Sequence, residues 1–125
     1  MPTTILIVDD SELIVSMLSM VCQQLGHQTT SAGTLDEVPA LVAATPPDAI
    51  LCDLNIPGVS DPVAALKTLP SLKDTPIILI SGTPQDKLDQ IAEERGADAA
   101  ISKDGGMPAI MTLLGPTLSI LLAAR

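Results

Sequence analysis

The chain has no aromatic side chain: its 125 residues include no Phe, Tyr or Trp, so no tryptophan signal can report folding or ligand binding. Basic residues are scarce as well. Six Lys and Arg against fifteen Asp and Glu leave a formal net charge of −9, and so acidic a chain does not supply the Lys/Arg patch that nucleic acid demands. No nucleic-acid partner is expected. Cysteine is limited to Cys22 and Cys52, one in a helical pattern and one in a strand-like run. Neither has a second Cys or His at ligand spacing, so both read as buried thiols rather than a metal or redox site. His27, the one histidine, follows a helix-ending glycine and reads as a surface residue without chemistry. The amino terminus lacks a basic segment leading into a long apolar one, so no signal peptide is expected. With thiols kept reduced, the expected compartment is the cytoplasm. No Ser/Gly/Pro-rich linker divides residues 1–125, which are read as one domain with one core.

Charge is also missing from residues 105–124, nearly the length of about 20 residues needed to cross a bilayer. That stretch contains Gly105, Gly106, Pro108, Gly115 and Pro116, and an interior proline removes a helical hydrogen bond and clashes one turn back. We expect no membrane span, but a helix that buries more than one face.

What is present is a regular alternation. Four apolar runs, 5–8, 49–52, 77–80 and 99–102, each end on a polar point: Asp9-Asp10, Asp53, Ser81 and Lys103. Runs apolar throughout, separated by helical patterns, predict strands buried on both faces of a parallel sheet. A less apolar strand is expected at Gln28–Ser31, and the third and fifth extend over 48–53 and 98–102. The first helix is capped by Ser11, carries the stripe Ile14, Met17, Leu18, Val21 and Leu25, and closes at Gly26. Met17 and Met20 are read as core and near-core fillers.

For the second helix, Thr34 and Glu37 have capping-box spacing. Asp36 is preferred as the cap because it keeps Pro39 in the first turn. Asp61-Pro62 and Thr83-Pro84 are each read as cap and first residue of the third and fourth helices. The last helix is expected to start at Pro108 and to kink or break at Gly115-Pro116. Five strand–helix units predict an α/β, flavodoxin-like doubly wound fold with strand order 2-1-3-4-5, the switch point lying between strands one and three. Groups at the carboxyl ends of the strands then share one rim.

Taken singly, each polar point has an ordinary explanation. Asp9-Asp10 suits a helix entry, Asp53 and Ser81-Gly82 suit turns, and Lys103 suits a solvated strand end. Together, at successive strand ends, they form a set suited to holding Mg²⁺ and a phosphoryl group. Mg²⁺ takes hard oxygen ligands, and a carboxylate attacking phosphorus needs cations to offset the crowded negative charge.

The ordered set Ile-Val-Asp9-Asp10-Ser, Cys-Asp53-Leu-Asn55-Ile-Pro57-Gly, Ile-Ser81-Gly82-Thr83 and Gly96-Ala-Asp98 leading to Lys103 resembles the response-regulator receiver domain of two-component signalling over essentially the whole chain. The resemblance implies that Asp53 is the phosphoacceptor. Asp9 and Asp10 help to hold Mg²⁺, Asn55 offers it a backbone carbonyl, Ser81 contacts the phosphoryl oxygens and Lys103 pairs with them. It further implies a phosphohistidine donor, on a sensor histidine kinase or a histidine phosphotransfer protein, and a downstream partner reading the surface of helices four and five. Such a domain catalyses its own phosphorylation and dephosphorylation and turns over no outside substrate.

The chain departs from the family in three ways. Ala100 stands where the family has an aromatic switch residue, so any conformational change is expected to be smaller, or rerouted through Gly82-Thr83 and helix four. Asp104 follows the site lysine in place of proline. Lys103-Asp104 should therefore be trans, since cis costs roughly 3 kcal/mol before a non-proline residue, and the added carboxylate can draw the ammonium away. The uncharged last helix leaves apolar surface for a homodimer or a docked partner. Two other readings compete. An aspartate-based Mg²⁺ phosphohydrolase needs a second carboxylate close after the nucleophile, where this chain has Asn55. A phosphorylation-independent interaction module is suggested by Ala100 and Asp104, and opposed by the intact acidic set.

Overall fold

The computed structural model of the protein describes residues 3–124; Met1, Pro2 and Arg125 lie outside the described residues. Five parallel strands, β1 (Thr4–Val8), β2 (Gln28–Ala32), β3 (Ala49–Asp53), β4 (Ile77–Ser81) and β5 (Ala99–Ser102), form one sheet in the order β2-β1-β3-β4-β5. The central strands β1, β3 and β4 are buried at every position. Successive side chains point to opposite faces of a strand, so both faces need apolar residues. Leu6, Val8, Ile50, Cys52, Ile77 and Leu79 pack into one core, and Ile5, Ile7, Leu51, Ile78 and Ile80 into the other.

The first core is closed by α2 (Val38–Ala44), α3 (Pro62–Lys67) and α4 (Gln85–Arg95), the second by α1 (Glu12–Gln24) and α5 (Gly106–Ala123). The doubly wound arrangement with strand order 2-1-3-4-5 is thus observed. Helix α1 is capped as expected, the Ser11 hydroxyl accepting from the Ile14 N–H at 3.4 Å. Met20, expected near the core, is exposed. It lies two residues past buried Leu18, about 200° around the helix from it.

The entry to α2 differs from the expectation of an Asp36 cap. The Thr34–Glu37 pair is used instead: the Glu37 carboxylate accepts from the Gly33 and Thr34 N–H groups at 2.6 and 3.1 Å. A short 3₁₀ turn over Leu35–Glu37 follows, and α2 begins only at Val38. The extra turn keeps Pro39 within the first turn of the α-helix, so the two demands do not conflict.

Asp61 caps α3 as expected, accepting from the Ala64 N–H at 3.1 Å. For α4, however, the cap position falls on Pro84 rather than Thr83, because the Thr83 hydroxyl is engaged by Ser81. Helix α4 stops at Gly96, whose φ of 77° lies in the left-handed region that other residues avoid.

Helix α5 is neither started by Pro108 nor broken at Pro116; it runs unbroken from Gly106 to Ala123. Its buried residues Ile110, Leu114 and Leu118 recur every four positions and anchor it to the sheet on both sides of the proline. Gly115 permits a close approach to α1, a Cβ there meeting a Leu25 methyl at 3.3 Å. By length and composition this helix could cross a membrane, but its buried face forms part of the second core. Cys22 and Cys52 are free and buried, as expected.

Candidate functional site

The strand order sets the carboxyl end of β1 beside that of β3, the two paired in register from Ile5 with Ala49 to Val8 with Cys52. Asp9 directly follows β1, and Asp53 is the last residue of β3. Asp9, Asp10 and Asp53 each place a carboxylate oxygen within 4.8 Å of those of the other two. Asp9 and Asp53 are buried and Asp10 is exposed. Hard oxygens clustered at this separation suit a hard divalent cation.

Two short turns aim the buried pair. Asp9 Oδ1 accepts from the Ser11 N–H at 2.9 Å, and Asp53 Oδ1 accepts from the Asn55 N–H at 3.1 Å. In each case an aspartate bonds the backbone two residues on, a turn that its short side chain favours. The second bond seats Asn55 against the nucleophile candidate. Burial pushes the Asp53 carboxyl above the ordinary carboxylate range; the Asn55 N–H and the Lys103 ammonium pull it back, while Asp9 and Asp10 push it further up.

Lys103 follows β5 and opens a 3₁₀ turn over Lys103–Gly105 that leads into α5. Its Nζ lies 3.4 Å from Asp9 Oδ2. The ammonium therefore turns to Asp9 and is not drawn off by Asp104. Among the described residues there is no cis peptide bond, so Lys103-Asp104 is trans, as expected. The turn is held by the Ser102 hydroxyl, which accepts from the Asp104 N–H at 3.1 Å.

Ser81 closes β4 with its side chain buried. Its hydroxyl meets Thr83 Oγ1 at 3.1 Å and accepts from the Thr83 N–H at 3.2 Å. The structure thus gathers Asp9, Asp10 and Asp53, brings Lys103 onto Asp9 and ties Asn55 to Asp53. Ser81 is on the adjacent strand, its hydroxyl bonded within its own turn.

A sequence profile of the response regulator receiver domain matches residues 5–114. The chain belongs to that family. Among curated relatives it is 31% identical over 115 residues to an uncharacterized transcriptional regulatory protein of Bacillus subtilis, YvcP, covering 91% of this chain and 48% of that protein. It is 27% identical over 110 residues to the polar-differentiation response regulator DivK of Brucella anthropi, covering 86% of this chain and 89% of that one. The chain therefore spans about half the length of YvcP and most of the length of DivK. Among solved structures, the chemotaxis response regulator CheY4 of Vibrio cholerae superposes with a TM-score of 0.78 at 26% identity, over 94% of this chain and all of that one. Receivers of two-component response regulators are signalling domains that generally bind Mg²⁺ at an acidic pocket, and a cluster of three Asp residues is present here.

Sequence reasoning does not find two residues beside the site, Gln85 and Ser102, and it gives a third, Thr83, the role of helix cap besides its place in the Ser81-Gly82-Thr83 motif. Ser102 reads only as strand, and Thr83 holds the Ser81 hydroxyl instead of capping the helix. Gln85 bonds β5 backbone 15 and 17 residues away, a pairing with no periodic signature.

Proposed function

We propose that residues 1–125 form one phosphoacceptor receiver domain. Asp53 takes a phosphoryl group, in a Mg²⁺-dependent way, from a phosphohistidine on a sensor histidine kinase or a histidine phosphotransfer protein. The observation that carries this reading is the meeting of three strand-end carboxylates within 4.8 Å, with the Lys103 ammonium on Asp9.

The arrangement suits that chemistry. An Asp53 oxygen attacks phosphorus, the bond from phosphorus to the donor nitrogen breaks, and the imidazole leaves. Asp9, Asp10, Asp53 and the Asn55 carbonyl are the groups that would hold Mg²⁺, which when bound supplies positive charge for the transferring oxygens. Lys103 would offset further charge, and the Ser81 hydroxyl, once released from Thr83, would meet a phosphoryl oxygen. The raised Asp53 carboxyl fits a site that is over-supplied with negative charge until cations enter. Asn55, two residues past the nucleophile, has no carboxyl with which to act as a phosphohydrolase acid and base.

We place the protein in the cytoplasm, with no membrane span and no nucleic-acid contact of its own. A downstream partner would read the surface of α4 and α5. A second copy would use the exposed face of α5 at Leu113 and Ile120, which lie seven residues and about two turns apart.

Intact-mass analysis after incubation with acetyl phosphate and Mg²⁺ tests the reading. Wild type should gain one phosphoryl group, and Asp53→Asn or omission of Mg²⁺ should abolish the gain. An unmodified wild type, or equal modification of Asp53→Asn, would overturn it.

A further inference from the structure

The turn between β4 and α4 is fastened to β5 by two side chains that the proposed chemistry does not use. The Ser102 hydroxyl, on a buried residue, donates to the Thr83 carbonyl at 2.6 Å. The Gln85 amide spans two positions of β5: Nε2 donates to the Ala100 carbonyl and Oε1 accepts from the Ser102 N–H, both at 2.9 Å. The other Nε2 hydrogen goes to Asp89 Oδ1, also at 2.9 Å. A carbonyl only accepts and an N–H only donates, so this pairing admits one orientation of the amide. Strand β5 is an edge strand. The Gln85 amide bridges residues on either side of Ile101 as the N–H and C=O of one residue of a further parallel strand would, and so covers part of the open edge.

Ser81 links this clamp to the acidic centre. Its hydroxyl is held by Thr83, and Thr83 is the residue whose carbonyl Ser102 grips. A phosphoryl oxygen that recruits Ser81 must take the hydroxyl from Thr83, and the 3.1 and 3.2 Å contacts that seat the turn are then lost. The turn has room to respond, since a Cβ at Gly82 would meet nothing within 4 Å.

Building on the phosphoacceptor reading, we infer that Gln85 and Ser102 are positioning residues of a latch. They hold the β4–α4 turn on β5 while Asp53 is unmodified. Recruitment of Ser81 by a phosphoryl group releases the latch, which frees the Ala100 carbonyl and the Ser102 N–H on the edge of β5. Because the closed latch opposes recruitment, opening it by substitution raises the fraction of competent molecules and tightens apparent binding at the acidic site. A merely structural role has the opposite signature: stability falls and affinity stays the same or weakens.

The test is a titration of the full chain with beryllofluoride and Mg²⁺, followed by NMR. It compares wild type with Gln85→Leu and Gln85→Glu, each first shown by circular dichroism to be folded; Ser102 is left intact because its hydroxyl also holds the turn that carries Lys103. Gln85→Glu keeps an acceptor but loses both amide hydrogens, so it opens the clamp even if the leucine variant fails to fold. The latch predicts binding about fivefold tighter in the folded variants, within the usual range of coupling between sites. It also predicts faster hydrogen exchange of the wild-type Ser102 amide once the fluoride is bound. If wild type binds the fluoride, the variants bind no more tightly and Ser102 stays protected, the latch is overturned and the phosphoacceptor reading stands. Wild type that binds no fluoride overturns both.

Discussion

Lys103 Nζ sits 3.4 Å from Asp9 Oδ2, joining groups 94 residues apart across the carboxyl rim of the sheet. The carboxylate is buried while the ammonium is partly exposed, and the carboxylates of Asp10 and Asp53 lie within 4.8 Å of that of Asp9. Lys103→Ala should destabilise the metal-free protein by about 1 kcal/mol, below the 3–5 kcal/mol typical of fully buried pairs because the lysine is partly solvated. The same change removes a positive charge that repels Mg²⁺, so metal affinity should hold or rise. Phosphorylation by acetyl phosphate should slow at least about tenfold, which corresponds to roughly 1.4 kcal/mol of lost transition-state stabilisation. Isothermal titration with Mg²⁺ and a mass-based rate separate the two effects; weaker metal binding would contradict this assignment.

Asp53 titrates above its ordinary value, with burial as the main cause. The folded state therefore holds this proton more tightly than the unfolded chain does. Its contribution to stability is fully present below about pH 3.9, the unfolded value, and is lost as pH rises through the folded value. At neutral pH the ionised carboxylate is a liability in the metal-free protein. Asp53→Asn should raise the Tm without Mg²⁺ by a few degrees, about what 1 kcal/mol produces in a domain of this size. Scanning calorimetry at neutral pH and again near pH 3.5 checks the sign, since the advantage should shrink in acid.

Mg²⁺ should stabilise wild type through the same carboxylates. At ten times its dissociation constant the gain is about 1.4 kcal/mol, and it should fall with pH as protons compete at Asp53. Asp9→Asn and Asp10→Asn should each reduce the gain, read as a smaller metal-induced rise in Tm. Equal rises in all variants would place the ion elsewhere.

Burial pushes the Cys22 thiol up to about 12; the Cys52 thiol reaches about 12 through burial and the negative charges of Asp53, Asp9 and Asp61. Only the thiolate reacts with disulfide reagents. Both thiols should resist such a reagent at pH 8 in the folded protein and react completely in denaturant. Fast modification of Cys52 under native conditions would show that the core beneath Asp53 opens.

Leu113 and Ile120 of α5 are exposed on one face of a helix whose residues 106–123 carry no charge. Self-association through this face predicts a sedimentation coefficient that rises with concentration and returns to the monomer value in Leu113→Asp. A wild-type monomer at all concentrations would remove the dimer from the proposed function.

The elements legible in the sequence are those set by neighbouring residues. Ile5 to Val8, Ala49 to Cys52 and Ile77 to Ile80 are apolar at every position because both faces of their strands are buried; Ile120 to Ala123 in α5 is equally apolar, so it is the β-branched content and the turn residues at both ends that mark the strands. Ser11 and Asp61 were legible caps since a cap acts within three residues. The α2 entry was misjudged because a 3₁₀ turn let Thr34 and Pro39 both be satisfied. Gly115-Pro116 reads as a kink or a break, and the helix runs on past it because Leu114 and Leu118 anchor it to the sheet on both sides, which is a tertiary fact. Thr83 looked like a cap until Ser81 claimed its hydroxyl.

Order along the chain was enough to determine the strands, their succession and the residue types at their ends, because burial on two faces and helix-stop chemistry are local and repeat with a period. Which end groups meet was decided only by the folded sheet. Winding in both directions from β1 sets Asp9 beside Asp53 and lets Lys103 reach across to Asp9, whereas the Gln85 and Ser102 bonds arise from side chains and backbone that come together after α4 has packed. Such contacts depend on distances in space of a few ångströms between residues far apart in sequence, and no pattern of neighbours along the chain encodes them.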